Sequence, residues 1–152
     1  MRIALDARPL AHAESGIGNY TVNLVRALLA ADPDLELLLI CRTTPAQAGL
    51  QDPRITVVRF PFHPMSPATQ YALPARLRPY AFDLFHAPFE VVPYGLRQPL
   101  VVTVHDLNWL VNPRYNVSSL PIMEKSEQFL RVIGIFTLYV ATIKLVYNEN
   151  IS

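Results

Sequence analysis

Apolar and polar positions along the chain follow two periods. A short apolar run, Ile3-Ala4-Leu5, ends at Asp6 and leads through a glycine-bearing stretch into residues spaced for a helix. Ile17, Tyr20, Leu24 and Leu28, with Val25 and Leu29 beside them, share one helical face, and Asn19, Asn23 and Arg26 fall opposite. The unit reads as strand, glycine loop and helix, with one helix face on a sheet. Ser15 is placed to cap the helix, and Asp32-Pro33-Asp34 stops it, because Pro33 has no amide hydrogen and disfavours helical geometry in the residue before it. Residues 35–41 are apolar except for Glu36, as expected of a strand covered on both faces in a parallel sheet. Residues 43–53 form a connection with room for one helical turn. Residues 55–60, rich in β-branched side chains, supply a third strand.

Residues 60–79 have a different texture. Pro61, Pro64, Pro67, Pro74 and Pro79 exclude a long regular element and leave room for a short helix over 68–77. The aromatic side chains between them suit a loop that shapes a pocket, or simply a packed surface loop. Residues 82–86 read as a short strand ending at His86, and residues 100–104 as a buried strand ending at His105-Asp106. Strands separated by helices or long connections predict an α/β fold, a Rossmann-like, doubly wound and mainly parallel sheet. In such a sheet Gly16, Gly18, His86 and His105 all lie at strand carboxyl ends, so they can converge on one crevice although far apart in sequence.

Composition narrows the classes. A chain of 152 residues, 51% of them hydrophobic, can bury one sizeable core, which sets a working count of one domain. A formal net charge of +1 gives no electrostatic footprint for nucleic acid. The single cysteine, Cys41, closes an apolar run and reads as a buried thiol in a reducing compartment. Asp6 and Arg8 interrupt the N-terminal run where a secretion signal would need apolar residues, which points to the cytoplasm.

Each chemical signal has a competing reading. The Gly16-Ile17-Gly18 pattern is a poor dinucleotide fingerprint, since the third glycine position holds Thr21 and the loop from Asp6 is long. His86 and His105 lack a third ligand at metal-binding spacing, so no metal is expected. No serine sits in a nucleophile-elbow context to complete a triad with His105 and Asp106. Glu90 and Asp106 are a carboxylate pair of the kind glycoside hydrolysis uses, a chemistry that depends on their separation. Asp6 has a structural alternative as an acceptor for loop amides, and His105 as a satisfied strand-end histidine.

Four motifs in order, Ile3-Ala4-Leu5-Asp6-Ala7-Arg8-Pro9-Leu10, Ser15-Gly16-Ile17-Gly18-Asn19-Tyr20, Asp83-Leu84-Phe85-His86-Ala87-Pro88 and Val102-Thr103-Val104-His105-Asp106-Leu107, resemble the N-terminal half of a GT-B glycosyltransferase. More narrowly, they resemble the retaining family 4 group, which includes many mannosyltransferases. The resemblance spans residues 1–115. It implies a Rossmann-like acceptor-side domain and transfer of a sugar from a nucleotide-sugar donor to an acceptor hydroxyl with retained configuration. Neither cofactor nor metal is needed. By position, Gly16 and Gly18 would face the donor diphosphate and His105 would lie beside the transferred sugar as the catalytic residue. Asp6, His86, Glu90, Tyr94 and Asp106 would line the cleft on the acceptor side. The implied partners are the nucleotide-sugar and a carbohydrate or lipid-linked acceptor.

Residues 116–152 depart from that pattern. Both lysines, Lys125 and Lys144, occur there, whereas every aspartate and proline precedes Ile122. The expectation is a divergent tail in place of a C-terminal donor-binding domain, and a chain inactive alone. Within it, residues 124–147 read as a helix with Phe129, Ile133, Phe136, Val140 and Ile143 on one face. The uncharged stretch between Arg131 and Lys144 is short of the roughly 20 residues of a membrane span, so packing is favoured over insertion. Asn116-Val117-Ser118 formally matches a glycosylation acceptor, without consequence in a chain lacking a secretion signal. Peripheral association with the inner membrane face, and self-association through the exposed cleft or tail, complete the expectations. The competing class is a noncatalytic sugar- or nucleotide-binding or interaction module of the same fold.

Overall fold

The computed structural model describes residues 1–105. Residues 1–104 form one compact unit, and His105 opens a second. The first unit is built on strands β1 (Arg2–Asp6), β2 (Glu36–Cys41), β3 (Ile55–Arg59), β4 (Leu84–Ala87) and β5 (Leu100–Val102), all parallel, in the order β3-β2-β1-β4-β5. The order reverses at β1, the signature of a doubly wound, Rossmann-like sheet. Helix α1 (Gly16–Ala31) crosses from β1 to β2, and helix α2 (Pro67–Leu77) lies between β3 and β4. The expected α/β class therefore holds.

Side-chain alternation along β1 explains both layers. Ile3, Leu5 and Ala7 join Leu37, Leu39 and Cys41 of β2 in a cluster with Val22 and Val25 of α1. Ala4, Asp6, Leu38 and Ile40 point to the opposite face and are just as buried. There α2 turns in Thr69, Leu73 and Leu77, one stripe at four-residue spacing. Cys41 is 1% exposed, and burial with the nearby Asp6 charge pushes its thiol pKa up to about 12, so it packs as a small inert hydrophobe.

Two expectations need correction. The fifth strand is shorter and less buried than residues 100–104 suggested: β5 ends at Val102, stands at one edge of the sheet among the described residues, and leaves Val101 41% and Val104 44% exposed. Apolarity marked a strand but not its place in the sheet order. The loop after β1 is also not a free glycine loop, because Arg8–His12 forms a 3-10 helix within it. The expected helical turn after β2 is present as a 3-10 helix at Pro45–Ala48.

The far end of α1 is held by a side chain remote in sequence. Arg54, just before β3, donates Nη1 to the carbonyls of Leu29 (3.0 Å), Asp32 (3.0 Å) and Pro33 (3.3 Å). Asp52 orients it, with Nε and Nη2 at 3.0 and 2.9 Å from the two carboxylate oxygens, and these bonds hold the Asp52 carboxyl below its ordinary range. A cation on the last carbonyls of a helix satisfies acceptors that have no partner within it. Arg54→Ala is expected to lower Tm, with amide exchange accelerating first in the last turn of α1. Unchanged exchange there would show that solvent caps the helix as well.

Candidate functional site

The carboxyl ends of β1, β4 and β5 carry the candidate residues. On the α1 face, β1 ends in a loop that the first turn of the helix folds back upon. Ser15 caps α1 twice: its Oγ accepts from the Gly18 amide (3.0 Å) while donating to the His12 carbonyl (2.7 Å), and its own carbonyl accepts from the Asn19 amide (2.8 Å). Of the four first-turn amides, those of Gly18 and Asn19 are thereby used. The amides of Gly16 and Ile17 have no acceptor within the helix, and both residues are exposed. The two glycines thus differ in kind. A Cβ on Gly18 would lie 2.0 Å from the His12 carbonyl oxygen, whereas one on Gly16 would meet nothing within 4 Å.

His86 pairs with Leu5 of β1 and Val101 of β5, so its side chain shares their face, the face of α1. Its Nε2 is 3.0 Å from Thr103 Oγ1, which is 3.1 Å from the Tyr20 hydroxyl in the second turn of α1. The Thr103 amide donates to the Ala87 carbonyl (2.9 Å), continuing the β4–β5 ladder past β5 and fixing the hydroxyl. This Tyr20–Thr103–His86 chain ties the start of α1 to the two late strands. Tyr20 was legible only as part of an apolar helical face and Thr103 only as a strand residue. Their hydroxyls, the one signal in the sequence, acquire a role once the register sets them against His86.

Burial holds the His86 pKa below its ordinary 6.5, so the imidazole is neutral near pH 7. Between the folded value and 6.5 the unfolded chain binds more protons than the folded one. The stability His86 contributes is therefore complete above pH 6.5 and is lost as pH falls through the folded value. Titration of its ring protons by NMR is expected to give a midpoint below 6.5. Thr103→Val, which removes the shared hydroxyl, is expected to cost about 1 kcal/mol in denaturant unfolding. A His86 midpoint at or above 6.5 would contradict the assignment.

Asp6 behaves differently from the other cleft candidates. Its carboxylate is wholly buried against Arg8, whose Nε is 2.7 Å from Oδ1 and whose Nη2 meets Oδ2. The Arg8 Nη1 then reaches Thr69 Oγ1 (2.9 Å) and the carbonyls of Phe62 (3.2 Å) and His63 (3.4 Å). The guanidinium carbon also lies 5.3 Å from the centroid of the Phe60 ring. Asp6 is thus closed to a substrate and, through Arg8, anchors the segment after β3 and the start of α2.

Tyr94 stands with α2 rather than with His86. Its amide donates to the Gln70 carbonyl (3.0 Å), its hydroxyl accepts from Gln70 Nε2 (3.3 Å), and its ring meets Tyr71 edge-on at 5.8 Å. Glu90 is half-buried in the same connection. His105 is exposed three residues beyond β5, in the second unit, and Asp106 lies outside the described residues, as do the expected tail helix and glycosylation acceptor. The candidates of the first unit therefore fall into two groups, one on the α1 face and one around α2. Among the described residues no cluster of three or more His, Cys, Asp or Glu is arranged to hold a metal ion, and no helix is long and apolar enough to cross a membrane.

Comparison with models of known protein families matches residues 15–133 to the one described as Glycosyltransferase Family 4. No curated protein and no solved structure matches the chain.

Proposed function

The chain belongs to glycosyltransferase family 4, and from that premise we propose that it serves retaining transfer of a hexosyl group, of the mannosyl type, from a nucleotide-sugar to a hydroxyl of a carbohydrate or lipid-linked acceptor. The amides of Gly16 and Ile17 receive the donor diphosphate at the positive end of α1. Gly18 contributes by letting the loop close on the helix rather than by its amide, which Ser15 occupies. The family resemblance assigns His105 the catalytic role and Asp106, Glu90 and Tyr94 the acceptor side. His86 is a positioning residue, fixed through Thr103 to Tyr20.

Such a transfer asks for orientation and charge stabilisation more than for acid–base work. The diphosphate leaves as an anion and the sugar develops positive charge. Helix-terminal amides and fixed polar groups stabilise the first and hold the second near the attacking hydroxyl. No step in this scheme calls for a metal.

The observation that carries the reading is the pair of helix-start amides left by the Ser15 cap, in a chain of this family. Titrating the isotope-labelled chain with GDP-mannose and with UDP-glucose is the test. The largest amide shifts are expected at Gly16 and Ile17 for at least one donor, with smaller changes at the His86 ring. Saturable binding that leaves Gly16 and Ile17 unmoved would sink this site, and absence of binding by either donor would sink the assignment of donor contact to this unit.

A further inference from the structure

Residues 60–96 contain an exposed aromatic pair that the donor site does not use. Tyr71 on α2 is 70% exposed and Tyr94 is 47% exposed, yet their rings are in edge-to-face contact with centroids 5.8 Å apart. Two large rings fixed against one another in water present a rigid apolar surface with hydroxyls at its margin.

A proline creates the arrangement. Pro74 lies inside α2 and has no amide hydrogen, so the carbonyl four residues earlier, that of Gln70, loses its helical partner. The Tyr94 amide takes that carbonyl at 3.0 Å, and the Gln70 side chain reaches the Tyr94 hydroxyl at 3.3 Å. Gly95, at φ +74°, then turns the chain away in a conformation other residues rarely adopt. The helix side is equally fixed, since Thr69 and Gln70 are buried and Thr69 is held by Arg8. Both tyrosines also sit at the carboxyl edge of the sheet: Tyr71 is in the first half of the helix that follows the β3 loop, and Tyr94 is in the connection leaving β4.

Charge indicates the ligand. From Pro61 to Ala75 the only ionisable side chains are His63 and Tyr71, and none but Tyr94 lies between Val91 and Leu96. Neighbouring Phe62 and Met65 are also exposed. Exposed Arg76 and Arg97 border these two stretches, while the rings and the residues around them within the stretches carry no formal charge. Ring faces bordered by hydroxyl and amide groups match a neutral molecule with an apolar C–H face and a rim of hydroxyls, which is the chemistry of a pyranose.

We propose that Tyr71 and Tyr94 form a stacking platform for a sugar ring of the acceptor, so that the acceptor of this chain is a neutral carbohydrate. The proposal rests on the glycosyl-transfer reading for the word acceptor, but the platform itself is independent of donor binding. Saturation-transfer NMR on the full chain with the methyl glycosides of mannose, glucose and galactose tests it. At least one glycoside is expected to receive saturation mainly on the ring protons of one face. That signal should fall about fivefold or more in Tyr71→Ala and in Tyr94→Ala and survive in Tyr71→Trp. Because Tyr71 is exposed, the Tyr71→Ala chain is expected to keep its circular dichroism and Tm. GDP-mannose shifts at Gly16 should persist in both alanine variants.

The outcomes separate the two claims. Glycoside signals lost on removing the rings while donor shifts persist support the platform. Glycoside binding in a chain that binds no donor supports the platform and removes the donor assignment. Absence of glycoside saturation, or saturation undiminished in the Tyr71→Ala/Tyr94→Ala double variant, overturns the platform. Binding to phosphatidylcholine vesicles that depends on both rings, without glycoside saturation, would overturn it in favour of a membrane surface.

Discussion

Arg8→Met is expected to destabilise the first unit by about 3–5 kcal/mol, because it leaves the Asp6 carboxylate buried without its counter-ion. At roughly 4–8 °C per kcal/mol for a unit of this size, the loss is large enough to unfold a marginal protein near room temperature. The guanidinium does more than neutralise Asp6, since its Nη1 also holds Thr69 and two carbonyls of the segment after β3. Removing it should therefore loosen the start of α2 before the sheet. Asp6→Leu/Arg8→Met, which removes both charges, is expected to be more stable than Arg8→Met alone. Urea unfolding of the three chains checks this; an Arg8→Met midpoint equal to that of the parent would show that the pair is not holding the fold.

The same pair has a defined pH signature. Burial raises the Asp6 carboxyl above its ordinary 3.8, against the opposing pull of Arg8. The folded chain then binds that proton more readily than the unfolded chain. The contribution of Asp6 is thus greatest below pH 3.8 and declines as pH rises through the folded value. Acid is not expected to unfold the protein through this group, and the stability difference between parent and Asp6→Asn should narrow as pH rises through that window.

What could be read in the chain followed from local patterns. Helical spacing from Ile17 to Leu29, the Ser15 cap and the Asp32-Pro33 stop are properties of adjacent residues, and α1 starts and ends where they place it. The apolar run at β2 lies fully buried between two layers because its composition demanded cover on both faces. Pairings across the sheet were not readable. The apolar residues of β5 gave no sign of its pairing beside β4, and nothing near Asp6 in sequence showed that Arg8 would fold back to bury it. Pro74 was readable only as a limit on helix length. That it frees the Gln70 carbonyl for Tyr94, twenty-four residues on, depends on how the connection after β4 crosses α2. The site followed the same division: the α1 start was visible in sequence, while the partners of His86 emerged only from the register of β4 and β5.

Gly18→Ala and Gly16→Ala are expected to have opposite effects, which separates folding from binding in the motif that first marks the chain. At Gly18 an added methyl would meet the His12 carbonyl oxygen at 2.0 Å, its carbon at 2.8 Å and Ala13 Cα at 2.9 Å. All three are backbone atoms, so no rotamer relieves the clash and the 3-10 segment must move away. That motion also pulls His12 from Ser15 Oγ and with it the cap on Gly18. A loss of about 2 kcal/mol or more is expected, combining overpacking with a broken cap. At Gly16 the methyl enters open space, and alanine favours a helix over glycine by up to about 1 kcal/mol, so stability should hold or rise. The same methyl stands beside the amide proposed to receive the diphosphate. GDP-mannose binding, or UDP-glucose binding if that is the donor taken, should therefore weaken in Gly16→Ala although its fold is intact. Thermal unfolding and donor titration of both variants decide the matter: equal loss of stability would refute the distinction between the glycines, and undiminished donor binding by Gly16→Ala would move the diphosphate away from the start of α1.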